Sequence, residues 1–522
     1  MLAVGPRARE APTGGLLRGS RLRDSSYTGP THSMRRVAQL ISIPVPEPAA
    51  AAVWPLCVDL DGTLVKSDTL VDSLLVLARS RPHLLLRLPA HLLRGKAAFK
   101  AFVAESVSLD VRCLPYNRAL LEFLQQEHAN GREIYLATGA DEQLAKRVAD
   151  HLRIFAGVMG SDGATNLTGA KKLARMREHL GEAGFAYIGN DTPDLPLLAA
   201  ATQPMVANPT RRLRSRLKAR SMRPDAEFVE RNSPLKSAAD AIRAHQWAKN
   251  LLVFVPVFLS HAVTVNKLLE ALAAFCCFSL TASATYIFND LLDIEADRRH
   301  AQKRLRPFAS GDLQGATGIG ILGIFLALGL VGAALLPGRF LAWLLLYLFA
   351  SLAYTGVLKR IPLVDVLVLS GMYILRLLAG GAVTRTPISP WLAGFSLFLF
   401  LSLAIVKRFS ELENLRAAGS VPRNGRGYVL ADLAQLRSFG TASAYAAAVV
   451  FAIYISGPDV EKLYRHPNYL WLSVPLILLW LNRVWLLAGR GKLNEDPVAF
   501  ALTDRISLAI GAAVVIVAVL AV

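Results

Sequence analysis

The sequence predicts two parts of different fold class: a soluble α/β domain with a parallel sheet and a helical cap, then an all-α membrane bundle of about nine helices. Short apolar strands that each end in a small-residue turn recur between residues 51 and 210. From residue 241 onward, apolar runs recur that are long enough to cross a hydrocarbon core of about 30 Å. The net charge of +19 comes from 58 basic and 39 acidic residues. Because the basic residues collect in short loops between apolar runs, we expect membrane lipid and no nucleic acid as a partner.

Two basic segments flank the α/β part. Residues 1–50 are rich in Arg, Ser, Gly and Pro, contain few acids and lack a continuous apolar run, which predicts a disordered N-terminus. Residues 211–240 are polar and basic, and the stretch "TRRLRSRLKARSMRP" predicts a linker near anionic lipid headgroups. The predicted domains are therefore 51–210 and 241–522, joined by this linker.

Three strand-and-turn segments carry the chemistry of the soluble part: "VWPLCVDLDGT", "REIYLATGA" and "FAYIGNDTPD". Asp59 and Asp61 follow the first strand and, being two residues apart, point the same way. One carboxylate can attack a phosphorus atom while the other donates a proton to the leaving oxygen. The insert from Ser67 to Leu120 is helical in pattern and is predicted to cap this site.

The order and spacing of these elements resemble the haloacid-dehalogenase (HAD) superfamily of phosphatases. The resemblance implies a nucleophile at Asp59, an acid/base at Asp61, a phosphoryl-binding hydroxyl at Thr138 and a charge-neutralising amine at Lys172, with Lys171 as its rival. It also implies a magnesium site, whose candidate ligands are Asp59, Asp61, Asn190, Asp191 and Asp194. Asn190 stands where the family usually has an aspartate, so a domain that only binds or scaffolds is the alternative.

The membrane part predicts nine apolar spans and places the charged loops on one side. The spans lie near 250–264, 267–289, 316–336, 339–358, 362–383, 391–406, 441–457, 469–488 and 505–522. Alternate loops are rich in Arg and Lys. By the positive-inside rule, the soluble domain and these loops face the cytoplasm. We therefore expect a multi-pass protein of the inner (plasma) membrane.

The stretch "NDLLDIEADRRH" begins at the end of an apolar run. On a helix, Asp290, Asp293 and Asp297 share one face with Asn289 beside them. Carboxylates crowded in this way are ligands suited to Mg2+, which in turn binds a pyrophosphate. The alternative is an ordinary solvated helix end.

This stretch resembles the first aspartate motif, N-D-x-x-D-x-x-x-D, of the UbiA superfamily of intramembrane prenyltransferases. A second motif, D-x-x-x-D, is incomplete here, because Asp365 is followed four residues later by Leu369. Three further stretches are similar to decaprenyl-phosphate phosphoribosyltransferases: "RAHQWAKNLLVF", "DRRHAQKRLRPFASG" and "VKRFSEL".

That branch implies transfer of 5-phosphoribose from phosphoribosyl pyrophosphate to a polyprenyl phosphate, after which the HAD-like domain would remove the 5-phosphate. The implied magnesium ligands are Asp290, Asp293, Asp297 and Asp365. The expected substrate-binding residues are Lys249, Asn289, Tyr354, Lys359, Arg376, Lys407 and Arg408. Two alternatives stay open: polyprenyl transfer from a polyprenyl diphosphate to an aromatic acceptor such as 4-hydroxybenzoate, and a transporter or lipid-binding scaffold. The sequence does not fix the oligomeric state, and a homo-oligomer stays open.

Overall fold

The chain folds into a parallel sheet near its N-terminal end and is otherwise mostly helical, which confirms the predicted order of an α/β part and an all-α part. A computed structural model describes residues 54–522, apart from 182–183, 231, 261–262, 418, 420–425 and 494–496. Residues 1–50, predicted to be disordered, lie outside the described residues.

The soluble part is built on six parallel strands in the order β3-β2-β1-β4-β5-β6. The strands are β1 Leu56–Val58, β2 Ile134–Asp141, β3 Gly157–Ser161, β4 Ala186–Gly189, β5 Gln203–Ala207 and β6 Ala226–Phe228. Because the winding reverses between β1 and β4, a crevice is expected at the carboxyl ends of these two strands. Asp59 and Asn190 stand at those two ends, directly after β1 and β4.

Helices cover the sheet and form the predicted cap. They are α1 Thr69–Ser80, α2 Leu88–Leu93, α3 Lys96–Ser106, α4 Arg118–Ala129, α5 Glu142–Leu152, α6 Ala170–Leu180, α7 Leu195–Ala200 and α8 Arg211–Ala219. The first of them starts where the Asp68 carboxylate accepts hydrogen bonds from the backbone N–H groups of Leu70 and Val71, an N-cap that satisfies two otherwise unpaired donors. Helices α1 to α3 lie in the insert 67–120, which is therefore helical as predicted.

The segment predicted as a linker differs in the structure, because much of it belongs to the soluble domain. Helix α8 buries Leu213 and Leu217, which are 0% and 5% exposed, while its basic residues remain on the other side. Strand β6 pairs with β5 and extends the sheet. Two leucines four residues apart are enough to hold a short helix on a core, whatever the charge of its outer face.

The second part consists of helices that begin at Pro234. They are α9 Pro234–Ile242, α10 Val255–Leu259, α11 Val265–Leu292, α12 Ile294–Arg299, α13 Gly315–Ala334, α14 Phe340–Gly356, α15 Val364–Val383, α16 Pro390–Ala417, α17 Leu433–Ile455, α18 Pro458–Leu463, α19 Ser473–Gly489, α20 Pro497–Thr503 and α21 Arg505–Ala521. Within the described residues, six helical segments are long and apolar enough to cross a membrane, and α14 and α21 are shorter apolar helices.

The predicted count of nine spans is not confirmed. The first predicted span, near 250–264, begins as a 3-10 helix over Ala244–Phe254 and continues as the five-residue α10. The 3-10 segment packs on α15, where a Cβ added to Gly380 would lie 2.2 Å from the carbonyl oxygen of Val253. This segment therefore contacts a neighbouring helix with its backbone instead of forming a full span.

Candidate active sites

The soluble site is centred on Asp59, at the end of β1. The buried amine of Lys172, on α6, donates a 2.8 Å hydrogen bond to the Asp59 carboxylate. Lys172 also lies 3.0 Å from the Tyr187 hydroxyl and 3.5 Å from Asp194. Thr138 is fully buried on β2, the strand that pairs with β1. The structure thus brings the predicted nucleophile, amine and hydroxyl to one edge of the sheet.

Asp61 lies beside the start of α1, where the backbone N–H of Thr69 donates a 2.8 Å hydrogen bond to its carboxylate. Burial, opposed by the Lys172 amine, raises the pKa of Asp59 to about 6. Burial, with the nearby Asp68 carboxylate, raises the pKa of Asp61 to about 8. Near neutral pH, Asp59 is therefore mainly ionised while Asp61 keeps its proton. These are the protonation states that a carboxylate nucleophile and a general acid require.

The three candidate metal ligands after β4 have different surroundings. Asp194 is fully engaged: it accepts from Tyr187 at 2.8 Å and from the backbone N–H groups of Asn190 and Asp191 at 3.0 and 3.2 Å. Asp191 accepts from the Thr210 hydroxyl at 2.8 Å. The Asn190 side chain faces the nucleophile loop, since a Cβ on Gly62 would lie 2.0 Å from its amide nitrogen. Of these three residues, Asn190 is the one that faces the loop carrying Asp59 and Asp61.

Lys100 is a site residue that the sequence analysis missed. It extends from cap helix α3 and donates to the Gly139 carbonyl at 2.6 Å and to the Asn166 side chain at 2.8 Å. It lines a cavity of about 70 Å³ together with Asp61 and Thr69. A single lysine in a helical insert carries no sequence signal of its own, so only the docking of the cap identifies it.

The membrane site begins with Asp290 and Asp297, which share one cation. One Arg306 nitrogen donates to both carboxylates, at 3.0 and 2.7 Å. Arg243 adds two 2.7 Å hydrogen bonds to Asp290, whose side chain is only 2% exposed. The two carboxylates therefore converge on the Arg306 guanidinium, and Arg243 brings a second positive charge to Asp290.

Asp293 lies apart from this pair because the helix breaks at it. Helix α11 ends at Leu292 and α12 begins at Ile294, so Asp293 is the cap between them. Its carboxylate contacts Lys359 at 3.0 Å and the guanidinium of Arg79. Lys359 also lies 3.4 Å from the Asn289 side-chain oxygen. The three aspartates therefore do not share one helical face as the spacing predicted. Asp290 and Asp297 form one acidic position, and Asp293 forms a second one.

Asp365, Tyr354 and Arg408 form an internal network. The fully buried Asp365 accepts from Arg408 and from the Tyr428 hydroxyl, each at 2.5 Å. Arg408 also donates to Tyr354 at 2.7 Å and to Glu411 at 2.8 Å. Both oxygens of Asp365 are therefore used by protein donors in the structure.

Arg376 is buried in the bundle, 4% exposed, and among the described residues no carboxylate pairs with it. It donates to the Asn250 side chain at 2.8 Å and to the Met372 carbonyl at 2.5 Å, and its guanidinium lies over the Tyr347 ring at 4.7 Å. A buried cation with only neutral partners is costly and indicates a position for an anion. The remaining predicted cations, Lys249 and Lys407, are partly buried next to Asn250 and Arg408 in the chain.

The carboxylates of Asp290, Asp293 and Asp297 are suitable ligands for a divalent cation. In the structure, arginine and lysine side chains balance their negative charge. Among the described residues, no group of three acidic, His or Cys side chains is close enough to hold an ion. The Asp290 and Asp297 carboxylates both accept from the same Arg306 nitrogen, so their oxygens face one position, and oxygen ligands are those that Mg2+ prefers. Arg243 and Arg306 were not predicted as parts of this site, although they lie in the stretches "RAHQWAKNLLVF" and "DRRHAQKRLRPFASG".

The UbiA prenyltransferase family matches residues 251–510. An uncharacterized protein of Sinorhizobium fredii, y4nM, is 37% identical over 460 residues, which are 88% of this chain and 89% of that protein. The decaprenyl-phosphate phosphoribosyltransferase of Mycobacterium tuberculosis is 31% identical over 272 residues, which are 51% of this chain and 87% of that enzyme.

Solved structures are similar to each part separately. A UbiA homolog from Archaeoglobus fulgidus bound to DMAPP and Mg2+ shares 18% identity over 53% of this chain and 98% of its own, with a TM-score of 0.42. A HAD family hydrolase from Salmonella enterica shares 16% identity over 31% of this chain and 66% of its own, with a TM-score of 0.24. From the family match and the similarity to the mycobacterial enzyme along most of that enzyme's length, we conclude that this multi-pass membrane chain belongs to the UbiA prenyltransferase family.

Proposed function

We propose that the membrane part transfers 5-phosphoribose from phosphoribosyl pyrophosphate to a polyprenyl phosphate, at the cytoplasmic face of the inner membrane. One observation supports the proposal: the bundle holds basic side chains at two separate places. The first is the aspartate motif, where Arg306 contacts Asp290 and Lys359 contacts Asp293, and where a metal-bound pyrophosphate would bind. The second is Arg376, a buried cation with no carboxylate partner among the described residues. A donor with a pyrophosphate at one end and a phosphate at the other matches this pair.

In this reaction, Asp290, Asp297 and Asp293 are the residues proposed to hold Mg2+. A bound magnesium ion would supply charge stabilisation to the leaving pyrophosphate. Lys359, between Asn289 and Asp293, adds a fixed positive charge at the same place. The bond from the anomeric carbon to the pyrophosphate oxygen breaks while a phosphate oxygen of the lipid bonds to that carbon, and no protein nucleophile is required.

The soluble part is proposed to remove the 5-phosphate from the lipid-linked product. Asp59 would attack the phosphorus atom while Asp61 protonates the departing ribose oxygen, and water would then release phosphate from Asp59. Lys172, held 2.8 Å from Asp59, balances the negative charge. The candidate side-chain ligands for Mg2+ here are Asp59 and Asn190, because Asp61 keeps its proton for the leaving oxygen. Because the two parts belong to one chain, the product is generated at a high local concentration for the phosphatase.

The second candidate is polyprenyl transfer to an aromatic acceptor, which the family's name favours. The second aspartate motif does not favour this reaction. Leu369 stands where the motif has its second acid, and both Asp365 oxygens accept hydrogen bonds from Arg408 and Tyr428. A transporter or lipid-binding scaffold would not need the buried acids. Use of phosphoribosyl pyrophosphate supports our proposal. Use of an isoprenyl diphosphate with 4-hydroxybenzoate instead would refute it.

Arg376→Met is expected to raise the KM for phosphoribosyl pyrophosphate by about 10- to 100-fold, because a hydrogen bond to a charged group is lost in a buried site. Methionine leaves the buried Asn250 side-chain oxygen without this donor, so thermal unfolding is measured in parallel and the KM is compared at a temperature where both proteins are folded. The measurement is initial rate against donor concentration in detergent micelles. Arg385→Gln is the matched control, since its side chain is 70% exposed. An unchanged KM in the Met variant would contradict the role of Arg376.

Hydrolysis of p-nitrophenyl phosphate by the full-length protein is expected to depend on pH in a bell-shaped manner. The rate should rise through about pH 6, as Asp59 loses its proton and becomes nucleophilic. It should fall above about pH 8, as Asp61 loses the proton that the leaving oxygen needs. Higher magnesium concentrations should move the acidic limb to lower pH, because the cation competes with the proton for Asp59. A rate independent of pH from 5 to 9 would contradict these roles.

A further inference from the structure

Helix α1 of the soluble domain connects the two candidate sites. At its first residue, the backbone N–H of Thr69 donates to Asp61 at 2.8 Å. In its last turn, Arg79 contacts the Asp293 carboxylate and donates to the Leu292 carbonyl at 3.1 Å. Thr69 and Arg79 are ten residues apart in this helix, so their backbones lie about 15 Å apart at 1.5 Å per residue. Helix α1 thus begins beside Asp61, the proposed general acid of the soluble site, and ends beside Asp293 of the aspartate motif.

The side of α1 that faces the membrane part is packed closely against it. Leu75, with Val71 beside it, belongs to a buried apolar cluster whose other members are Ala241, Ile287, Leu291, Ile294, Phe308 and Leu313. At the start of α13, a Cβ on Gly315 would lie 2.9 Å from Val71, so the two helices approach where a side chain is missing. This packing fixes the position of α1 on α11, α12 and α13.

A buried ion pair sets the register of this contact. Arg298 of α12 contacts Asp72 of α1 at 2.7 Å, and the two side chains are 4% and 1% exposed. Arg298 also donates to the Ser67 hydroxyl at 3.1 Å, which itself donates to Asp72 at 2.7 Å. Because each group is hydrogen-bonded to the others, sliding α1 by one turn would leave buried charges unpaired. Arg79 is therefore held at Asp293 by the docked interface as a whole.

The charges around Asp293 do not balance. One carboxylate there contacts two cations, Lys359 from the membrane part and Arg79 from the soluble part. The Arg79 side chain is 35% exposed, so part of its guanidinium remains accessible to a ligand. A surplus positive charge beside a metal-binding motif is what a phosphate group requires, and the planar guanidinium can bind two phosphate oxygens at once.

We propose that Arg79 is a pyrophosphate-binding residue of the membrane site, supplied by the soluble domain. The transferase site is then complete only when α1 is docked. The inference rests on the proposed function only in that the leaving group is a pyrophosphate, which the alternative prenyl transfer also releases. With pyrophosphate at this site, the Arg79 guanidinium would exchange the Asp293 carboxylate for phosphate oxygens, and Asp293 would be available to a metal ion.

Two affinities that are expected to respond differently to the loss of Arg79 test this inference. Full-length Asp59→Asn protein, in which pyrophosphate hydrolysis at the soluble site is removed, is titrated calorimetrically with Mg2+ alone and then with magnesium pyrophosphate. Only the binding that disappears after Asp290→Asn is assigned to the membrane site. Arg79→Ala is expected to weaken magnesium pyrophosphate binding about tenfold or more. Binding of Mg2+ alone should be unchanged or tighter, because a cation that competes for Asp293 is gone.

The controls separate a binding role from a structural one. Arg81→Ala removes an exposed arginine just after α1 and should change neither affinity. Arg79→Lys should recover part of the lost pyrophosphate affinity. Unchanged pyrophosphate binding in Arg79→Ala would overturn the inference, as would equal weakening of both affinities, which is the result of a loosened interface. If wild type binds magnesium pyrophosphate through Arg79 but does not use phosphoribosyl pyrophosphate, the proposed function fails and this inference stands.

Discussion

Asp59→Asn protein supplied with Mg2+, phosphoribosyl pyrophosphate and a polyprenyl phosphate is expected to accumulate lipid-linked ribose that still carries its 5-phosphate. Without the carboxylate nucleophile that Lys172 holds at 2.8 Å, hydrolysis should slow by at least about a thousandfold. Transfer should continue, since Asp59 lies in the soluble site. Wild type should instead give the ribose lipid without that phosphate. Mass spectrometry of extracted lipids distinguishes the two products by the mass of one phosphate group.

The matched control for this experiment is Asp162→Asn, which changes an exposed carboxylate in the same domain. This variant should give the wild-type product. If wild type accumulates the phosphorylated lipid to the same extent as Asp59→Asn, the soluble domain does not act on the product of the membrane domain, and the proposed coupling is wrong.

Asp290→Asn is expected to reduce transfer to the lipid by at least about a hundredfold, the largest effect we expect in the membrane part. The change removes the charge from a residue that is 2% exposed and that binds two arginines. The amide is a weaker ligand for Mg2+, and Arg243 and Arg306 lose their common partner. Lipid product formed per minute is the measurement, with hydrolysis of p-nitrophenyl phosphate as an internal standard of folding.

Glu295→Gln is the control for that variant. Glu295 lies in the same stretch, but its carboxylate pairs with Arg299 on the surface of α12. It should retain transfer close to the wild-type rate. Full transfer activity in Asp290→Asn, with phosphatase activity also intact, would exclude metal-assisted pyrophosphate departure at this motif.

Much of the soluble site could be predicted from the sequence because its chemistry lies at strand ends. Asp59 follows β1, Thr138 lies on β2 and Asn190 follows β4, and the carboxyl ends of parallel strands share one edge of the sheet. Lys172 lies on helix α6 instead, and its place beside Asp59, 2.8 Å away and 113 positions apart in the chain, was implied by the resemblance to the HAD superfamily. Lys100 could not be predicted, since its contact depends on how the cap docks.

The membrane site was less accessible to sequence reasoning. Helical spacing put three aspartates on one face, but α11 ends at Leu292, so Asp293 points to other partners. The cations that balance these acids come from distant places in the chain, Arg243 before α11 and Arg79 in the soluble domain. Periodicity describes one helix at a time, so it does not report pairs formed between helices.

The central claim is that the membrane domain takes phosphoribose from its pyrophosphate and gives it to a lipid phosphate. The most direct test supplies purified full-length protein with Mg2+, a polyprenyl phosphate and phosphoribosyl pyrophosphate labelled at the anomeric carbon. We predict label in the lipid phase, in a product whose mass equals that of the lipid phosphate plus a ribosyl group, which is ribose less one water. The account is contradicted if the label stays in the water-soluble donor while the same preparation joins an isoprenyl diphosphate to 4-hydroxybenzoate.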